Sequence, residues 1–401
     1  MSWEQKRLDE LGTISRGRSK HRPRNDPSLF NGEYPFIQTA DVKNANFYIT
    51  EYSQSYNDKG LSQSKLWKKG TLCITIAANI ADSGILGIDA CFPDSIMGFV
   101  PYEDKSDVRY VKYCFDILQN ECQQISQGAT QDNLSWEKLS TIKFPAPSLE
   151  TQKRIADILS TYDDLIENNQ KQIKLLEEAA QRLYKEWFVD LRFPGYENTP
   201  TTDGIPEGWS LTSILDNNIF DFVKCKMTPF EGNKIYYATA DVSGTSIVSA
   251  GEKILYENKP SRASVLPVPF SVWFARMSNS YKILNCFGAN SWLADSAVLS
   301  SGFAGFTSLK EYYGFVYETI ASKYFDEEKN RYATGATQVS LTNEGLSKIK
   351  ILLPTVDIIR KYSKTIEPIM SKSELLKSEN YKLKEARDRL LPKLMNGEIE
   401  V

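Results

Sequence analysis

The sequence predicts an α+β protein: two similar mixed α/β globular parts separated by two long helices packed as an antiparallel coiled coil, with a pseudo-two-fold internal repeat. Three observations predict it. The tetrapeptide Gly128-Ala129-Thr130-Gln131 recurs as Gly335-Ala336-Thr337-Gln338, 207 residues later. Each copy opens on short strand-like runs broken by Gly, Pro and Asn. Each copy closes on a segment whose apolar residues return every three, four or seven positions, which is a helical seam.

The repeat comes first because a missed duplication misassigns the whole fold. At the same offset, Leu134, Glu137, Leu139, Ile142, Pro147, Ala179, Arg182 and Leu183 meet identical residues at Leu341, Glu344, Leu346, Ile349, Pro354, Ala386, Arg389 and Leu390. Upstream, with small gaps, Thr39-Ala40-Asp41-Val42 matches Thr239-Ala240-Asp241-Val242. Ile85-Leu86 matches Ile283-Leu284, and Asp94-Ser95 matches Asp295-Ser296. Trp3 and Trp209 open the two copies. The expected divisions are a first globular part over 1–149, a central helical region over 150–198, a second globular part over 199–356 and a distal helical region over 357–401.

Strands are expected at Pro35–Thr39, Leu72–Ala77, Tyr236–Thr239 and Phe270–Ala275, and helices at Val108–Gln124 and Lys310–Lys323. After Pro145-Ala146-Pro147 a short helix is expected from about Glu150 to Ser160 and a longer one from about Tyr162 to Asp190. The first seam reads Ile155, Ile158, Tyr162, Leu165, Asn169, Leu176, Leu183 and Trp187. The second reads Ile359, Tyr362, Ile366, Ile369, Leu376, Leu383 and Leu390. Pro368 aligns with Thr161 and suits the first turn of a helix, where its missing N–H costs nothing, so it is expected to start the second long helix. Two similar seams in one chain satisfy each other if the helices pair antiparallel.

Composition excludes several function classes. The 401 residues are 41% apolar, enough for real cores, and no apolar run reaches a membrane span. The start of the chain lacks the layout of a secretory signal, so a cytoplasmic location is expected. Six cysteines without a CxxC pair and a lone histidine, His21, make a zinc site or a nucleophile–His mechanism unexpected. There is no GxxxxGK[ST] loop, no GxGxxG after a strand and no Asn/Asp-Pro-Pro-Tyr/Phe run for holding a base amine. Glu327-Glu328-Lys329 fits a loose half of a nuclease signature and lies near no clear Asp partner. No catalytic residue, cofactor or metal is therefore expected in this chain.

The net charge of −3 hides a local field. Arg16, Arg18, Lys20, Arg22 and Arg24 alternate within a short stretch free of acids, which places them on one face of an extended arm suited to phosphates. Lys224 and Lys226 are the weaker counterpart in the second copy.

The pattern resembles the specificity subunits of type I restriction-modification systems, usually called HsdS. The segment Phe144-Pro145-Ala146-Pro147-Ser148-Leu149-Glu150-Thr151-Gln152-Lys153-Arg154-Ile155-Ala156, with Leu159, looks like that family's pro-rich entry to its conserved helix. Leu175–Phe188, ending Tyr184-Lys185-Glu186-Trp187-Phe188, is similar to family sequence, as are Trp3…Leu8…Leu11-Gly12 and Ile205-Pro206-Glu207-Gly208-Trp209. The second copy departs at Val356-Asp357-Ile358-Ile359, where the Glu-x-Gln of the first is missing. The resemblance implies two target-recognition domains that read the halves of a bipartite, asymmetric site in double-stranded DNA. It implies helices that dock two modification subunits, which bind S-adenosylmethionine, and up to two restriction subunits, which use ATP and Mg. Leu165, Leu176, Leu183, Trp187, Ile366, Leu376, Leu383 and Leu390 are the candidate partner-binding residues.

Base readout favours Arg and Lys for guanine and Asn and Gln for adenine. Besides the basic arm, two segments per copy suit it. The loop after the central strand offers Asn79 and Asp82 in copy one and Arg276, Asn279, Tyr281 and Lys282 in copy two. The repeated tetrapeptide offers Thr130 and Gln131, then Thr337 and Gln338, although a tight turn with a capping Thr explains it as well. Thr39 and Thr239, with Asp41 and Asp241, either touch DNA or cap a turn. A stand-alone DNA-binding or coiled-coil scaffold protein is the alternative reading, and a nuclease using Glu327 and Lys329 a further one.

Overall fold

The computed structural model describes residues 3–77, 81–126, 139–224, 227–288, 291–335 and 339–401, with side chains given to 119 in the segment that ends at 126. The chain divides into two compact units, 1–168 with 380–401 and 169–379.

Unit one opens with β1 (Glu4–Lys6), β2 (Gly12–Arg16), β3 (Phe30–Phe36), β4 (Tyr48–Ile49), β5 (Gln54–Tyr56) and β6 (Leu66–Trp67). It continues through β7 (Leu72–Thr75), β8 (Ser83–Leu86), β9 (Ala90–Cys91), β10 (Ile96–Pro101), helix α1 (Val108–Ser126) and β11 (Phe144–Ala146). One sheet has the order β2-β10-β7-β8-β4 and the other β5-β3-β9-β6. Every residue of β7 is buried, as expected of a central strand covered on both faces.

Unit two holds β12 (Thr201–Thr202), β13 (Ile205–Pro206), β14 (Ser210–Ser213), β15 (Asp221–Phe222), β16 (Lys234–Tyr237), β17 (Val242–Ser243), β18 (Ser246–Ile247) and β19 (Glu252–Ile254). Then come β20 (Ala263–Val265), β21 (Ser271–Ala275), β22 (Ile283–Cys286), β23 (Ala297–Ser300), β24 (Phe303–Thr307) and β25 (Lys350–Leu353). Its two larger sheets read β15-β24-β21-β22 and β19-β16-β23-β20. Apart from β4, the fifth strand of the first sheet of unit one, this is the order of unit one. The pairing sense also agrees: β3 runs parallel to β9, and β16 parallel to β23, within otherwise antiparallel sheets.

One buried detail repeats as well. Gly98 on β10 lies under Trp67, where a Cβ would come within 2.6 Å of the indole. Gly305 on β24 lies under Trp273, where a Cβ would come within 2.4 Å. Both strands need glycine because a ring occupies the side-chain position. By contrast, Asp94-Ser95 and Asp295-Ser296 do not mark equivalent places. The first pair precedes β10, whereas the second precedes β23, the counterpart of β9. A two-residue identity across gaps was too short to hold register.

The helices differ from expectation. One uninterrupted helix, α2 (Leu149–Tyr184), replaces the short and long helices, and a π-helical turn over Lys185–Val189 follows it. After α3 (Lys310–Ala321) and α4 (Lys323–Arg331), the last helix α5 (Val356–Met395) runs straight through Pro368. The proline costs about 3 kcal/mol in a helix interior. Here Pro368 lies on the exposed side of the helix, while Ile366 and Met370 on the opposite side are buried. Packing of that face outweighs the local penalty.

The seam is shifted in phase. Gln152, Leu159, Ile166, Ile173, Ala180 and Trp187 are buried at strict seven-residue spacing. Their counterparts 207 residues on are Ile359, Ile366, Ser373, Asn380, the partly buried Arg387 and Leu394. Ile158 and Leu165, expected on the seam, are 37% and 46% exposed. Ile166, rather than Leu165, keeps the heptad. Asn169 is buried, as expected of a seam residue.

Within each unit the helices run antiparallel. In unit one Asp163 meets Arg387, and the Asn380 amide donates to the Ile166 carbonyl at 3.4 Å. In unit two Asn169 meets Glu379, Lys377 pairs with Glu177 at 2.8 Å, and the Tyr362 hydroxyl donates to the Ala180 carbonyl at 3.2 Å. The core of unit one takes in Ile155 and Leu159 from α2 together with Leu394 and Met395 from α5. The core of unit two takes in Trp187 and Phe188 together with Tyr362 and Ile366. Each unit therefore buries the start of one long helix and the end of the other.

Two buried polar groups on this framework make measurable contributions. Asp163 is 2% exposed; burial pushes its carboxyl up, opposed by the Arg387 guanidinium, and the Tyr113 hydroxyl donates to it. Removing one member of such a pair leaves an unmatched buried group, so Arg387→Ala is expected to lower stability by about 3–5 kcal/mol in a urea titration. Glu318 on α3 is 1% exposed, takes a hydrogen bond from Gln181, and is pushed up to about 8 by burial and then by Glu177. The folded state therefore keeps a proton that the unfolded chain releases near its ordinary carboxylate range. Stability is expected to fall as pH rises from about 4.5 through about 8. Glu318→Gln should flatten that slope and raise the melting temperature above pH 7; an unchanged slope contradicts this assignment.

Candidate nucleic-acid interface

In unit one the basic arm is only partly extended. Arg16 ends β2, opposite Met97. The chain then turns: the Arg18 amide donates to the Phe92 carbonyl at 3.1 Å, and Gln63 accepts from the amides of Lys20 and His21. Alternation past Arg16 does not place the later charges on one face. Arg24 pairs with Asp94 at 2.8 Å, while Arg22 sits 4.0 Å from the same carboxylate and donates to the Ser19 and His21 carbonyls. Asp26 accepts from the Ser28 amide and lies 2.7 Å from His21; these bonds hold its carboxyl down to about 2. Arg16, Arg18 and Lys20 are exposed and have no side-chain partner among the described residues. The arm thus separates into three outward cations and two that brace its own fold. The Asp94 clamp carried no sequence signal, because it comes from a strand boundary 70 residues away.

Thr39 and Thr239 occupy the same place, the first position of a short helical turn. Asp41 accepts from the Gln38 amide at 2.8 Å and Asp241 from the Ala238 amide at 2.6 Å. The two aspartates cap turns, which accounts for their recurrence. Asn79, Thr130, Gln131, Lys226, Thr337 and Gln338 lie outside the described residues. Asp82 bounds the loop after β7; burial pushes its carboxyl up, and it accepts from Gln119 at 2.8 Å.

In unit two the loop between β21 and β22 is the centre of a converging set. Arg276 donates to the Leu341 carbonyl and to Asn343 Oδ1, each at 2.9 Å. Its guanidinium lies 5.8 Å from the Phe222 ring, next to the exposed Lys224 in sequence. Tyr281 donates to the Ala321 carbonyl at 2.9 Å, and Lys282 to the Thr239 carbonyl at 2.5 Å. The Ser278 amide donates to the Val339 carbonyl at 3.0 Å, and Met277 bridges Ser340. The structure therefore brings together Thr239, the 276–282 loop and the residues flanking the repeated tetrapeptide. Sequence reasoning chose these segments separately and had no means of joining them.

Two expectations change here. Lys329 is buried, pairs with Asp326 at 2.8 Å and donates to the Ser280 carbonyl at 2.6 Å, while Glu327 pairs with Lys323 at the surface. Those two residues share no site, so the nuclease reading lacks its geometry. Among the candidate partner-binding residues, Trp187, Ile366 and Leu376 are buried within unit two, Leu183 packs against its core and Leu390 against that of unit one. Leu176 and Leu383 are half-buried. The chain fills its own seam with them, leaving Leu165 as the exposed member. Among the described residues no group of side chains suits a metal ion, and no helix is long and apolar enough to cross a membrane.

Comparison with known proteins agrees in one direction. Residues 1–178 match the profile of the type I restriction modification DNA specificity domain. The chain is 27% identical to the type I restriction enzyme MjaIX specificity subunit of Methanocaldococcus jannaschii, over 100% of this chain and 94% of that one. It is 24% identical to the HindI specificity subunit of Haemophilus influenzae, over 97% and 98%. A crystal structure of a type I restriction-modification S subunit from M. genitalium shares the fold, with a TM-score of 0.54, 16% identity and coverage of 98% and 96%. Residues 1–178 thus carry the pattern of the type I restriction modification DNA specificity domain, and the whole chain is similar to type I restriction enzyme specificity subunits.

Proposed function

We propose that this chain is the DNA sequence-specificity subunit of a type I restriction-modification complex and has no catalytic role of its own. The observation that carries the reading is the repetition of one strand order in two units, each with a loop leaving the same central strand. We read the repetition as an internal duplication with pseudo-two-fold symmetry. Residues 1–149 and 199–356 then serve as two target-recognition domains, and 150–198 with 357–401 as the helical regions that set their separation. Two readers of one fold with different loops suit an asymmetric, bipartite site. The outward Arg16, Arg18 and Lys20 suit phosphates, which position a protein on DNA without reading it.

Two modification subunits, binding S-adenosylmethionine, dock on the helices in this proposal, and up to two restriction subunits supply ATP- and Mg-dependent steps in the cytoplasm. Exposed apolar residues on the helices, Leu165 at 46%, Leu175 at 65% and Leu375 at 52%, support docking there. A stand-alone scaffold has less support, because the seam it would offer is already filled.

The test is co-expression with a methyltransferase partner and sequencing of the modified DNA. A gapped two-part motif is expected, and exchange of residues 1–149 for another recognition domain should change one half only. Methylation without sequence preference contradicts the proposal. Replacing Arg16 and Arg18 with Ala should weaken binding to all sequences alike. In a salt titration of affinity the slope should drop by about 1 for each lost phosphate contact.

A further inference from the structure

The loop after β21 contains side chains of two kinds. One kind is turned back into the fold. Arg276 bonds the Leu341 carbonyl and Asn343, Tyr281 bonds the Ala321 carbonyl, and Lys282 bonds the Thr239 carbonyl. Lys329, from α4, holds the Ser280 carbonyl. The backbone is held too: the Arg276 amide donates to Gly302, its carbonyl accepts from Leu341, and the Ser278 amide donates to Val339. The other kind lies at the tip, and Tyr281, although bonded through its hydroxyl, is itself 41% exposed. Met277 is 37% exposed and Asn279 is exposed. Asn279 sits at φ +54°, a left-handed conformation, and its amide N–H donates to Asn330 Oδ1 at 2.8 Å. The Asn279 carboxamide has no partner among the described residues.

This arrangement is more than a connection between two strands needs. The cations that chemistry alone nominates for guanine or phosphate are spent on backbone carbonyls. The one side-chain amide of the loop, exposed to solvent, stands on a backbone pinned from Gly302, α3, α4 and the 339–343 segment. A reader must be held rigidly to discriminate bases, and a carboxamide matches the N6 and N7 edge of adenine with two bonds.

Resting on the specificity-subunit reading above, we propose that Asn279 is a base-reading residue of the second unit, with adenine as its partner. Arg276, Tyr281, Lys282 and Lys329 are positioning residues that hold its loop. The division departs from residue chemistry, which ranks Arg276 and Lys282 as equal candidates.

The experiment uses the full chain assembled with its methyltransferase subunits, titrated against the cognate duplex and duplexes changed one base pair at a time. Asn279→Gly keeps the left-handed backbone and removes the carboxamide. It should lose roughly 5- to 150-fold of discrimination at a single A·T position in one half-site, with the other half and nonspecific binding unchanged. Arg276→Ala should weaken discrimination at every position of that half-site, and Arg276→Lys, which keeps one donor, should restore part of it. Melting temperatures of the variants check that the fold is intact. If Asn279→Gly leaves every position unchanged while the wild-type complex reads a two-part site, the inference is overturned and the specificity reading stands. If Arg276→Ala alters one position only, the roles are reversed and the inference is overturned. A wild-type complex with no sequence preference overturns both.

Discussion

The shared seam of the two long helices is the constraint on which the rest of this structure depends. Strict seven-residue spacing from Gln152 to Trp187 and from Ile359 to Leu394 keeps one stripe of each helix largely buried over many turns. Polar residues on the seam, Asn169, Ser373 and Asn380, weaken it as a hydrophobic contact and narrow the registers in which it closes. Ile155 and Leu159 belong to one core and Trp187 and Phe188 to the other, so one stretch of helix contributes to both.

Charge is managed by placement rather than by amount. With a net charge of −3, the chain cannot attract a polyanion as a whole. It spends many cations internally: Arg24 on Asp94, Arg387 on Asp163, Arg276 on a carbonyl and an amide, Lys282 and Lys329 on carbonyls. The outward ones are few and local. A protein of this kind binds an extended anion through a small number of set points, so geometry outweighs field strength in deciding what it holds.

Much of the fold was legible in the sequence because duplication and heptad spacing are periodic signals, and periodic signals average over many residues. The repeated tetrapeptide, the Leu183/Leu390 match and the strands at Leu72 and Phe270 all pointed to it. Single positions were less legible. Pro368 read as a helix start because local propensity does not contain the packing of Ile366 and Met370 on its far side. Leu165 read as seam because one residue of phase error is invisible in a short window. At the candidate site, residue type identified Arg276, Asn279, Tyr281 and Lys282 together. What separates them is where each side chain finds a partner, and those partners lie 40 to 67 residues away in sequence. Asp94, Gly98 and Gly305 were missed for the same reason: their roles exist only across strands.

The interleaving of the helices also makes the two units unequal in how the chain supplies them. Residues 169–379 form a continuous stretch that contains all of unit two, whereas unit one draws on two separate stretches, 1–168 and 380–401. Leu394 and Met395 are buried in the core that also holds Leu8 and Leu11. Contacts inside unit one therefore close a loop of more than two hundred residues, a loop that contains the whole of unit two.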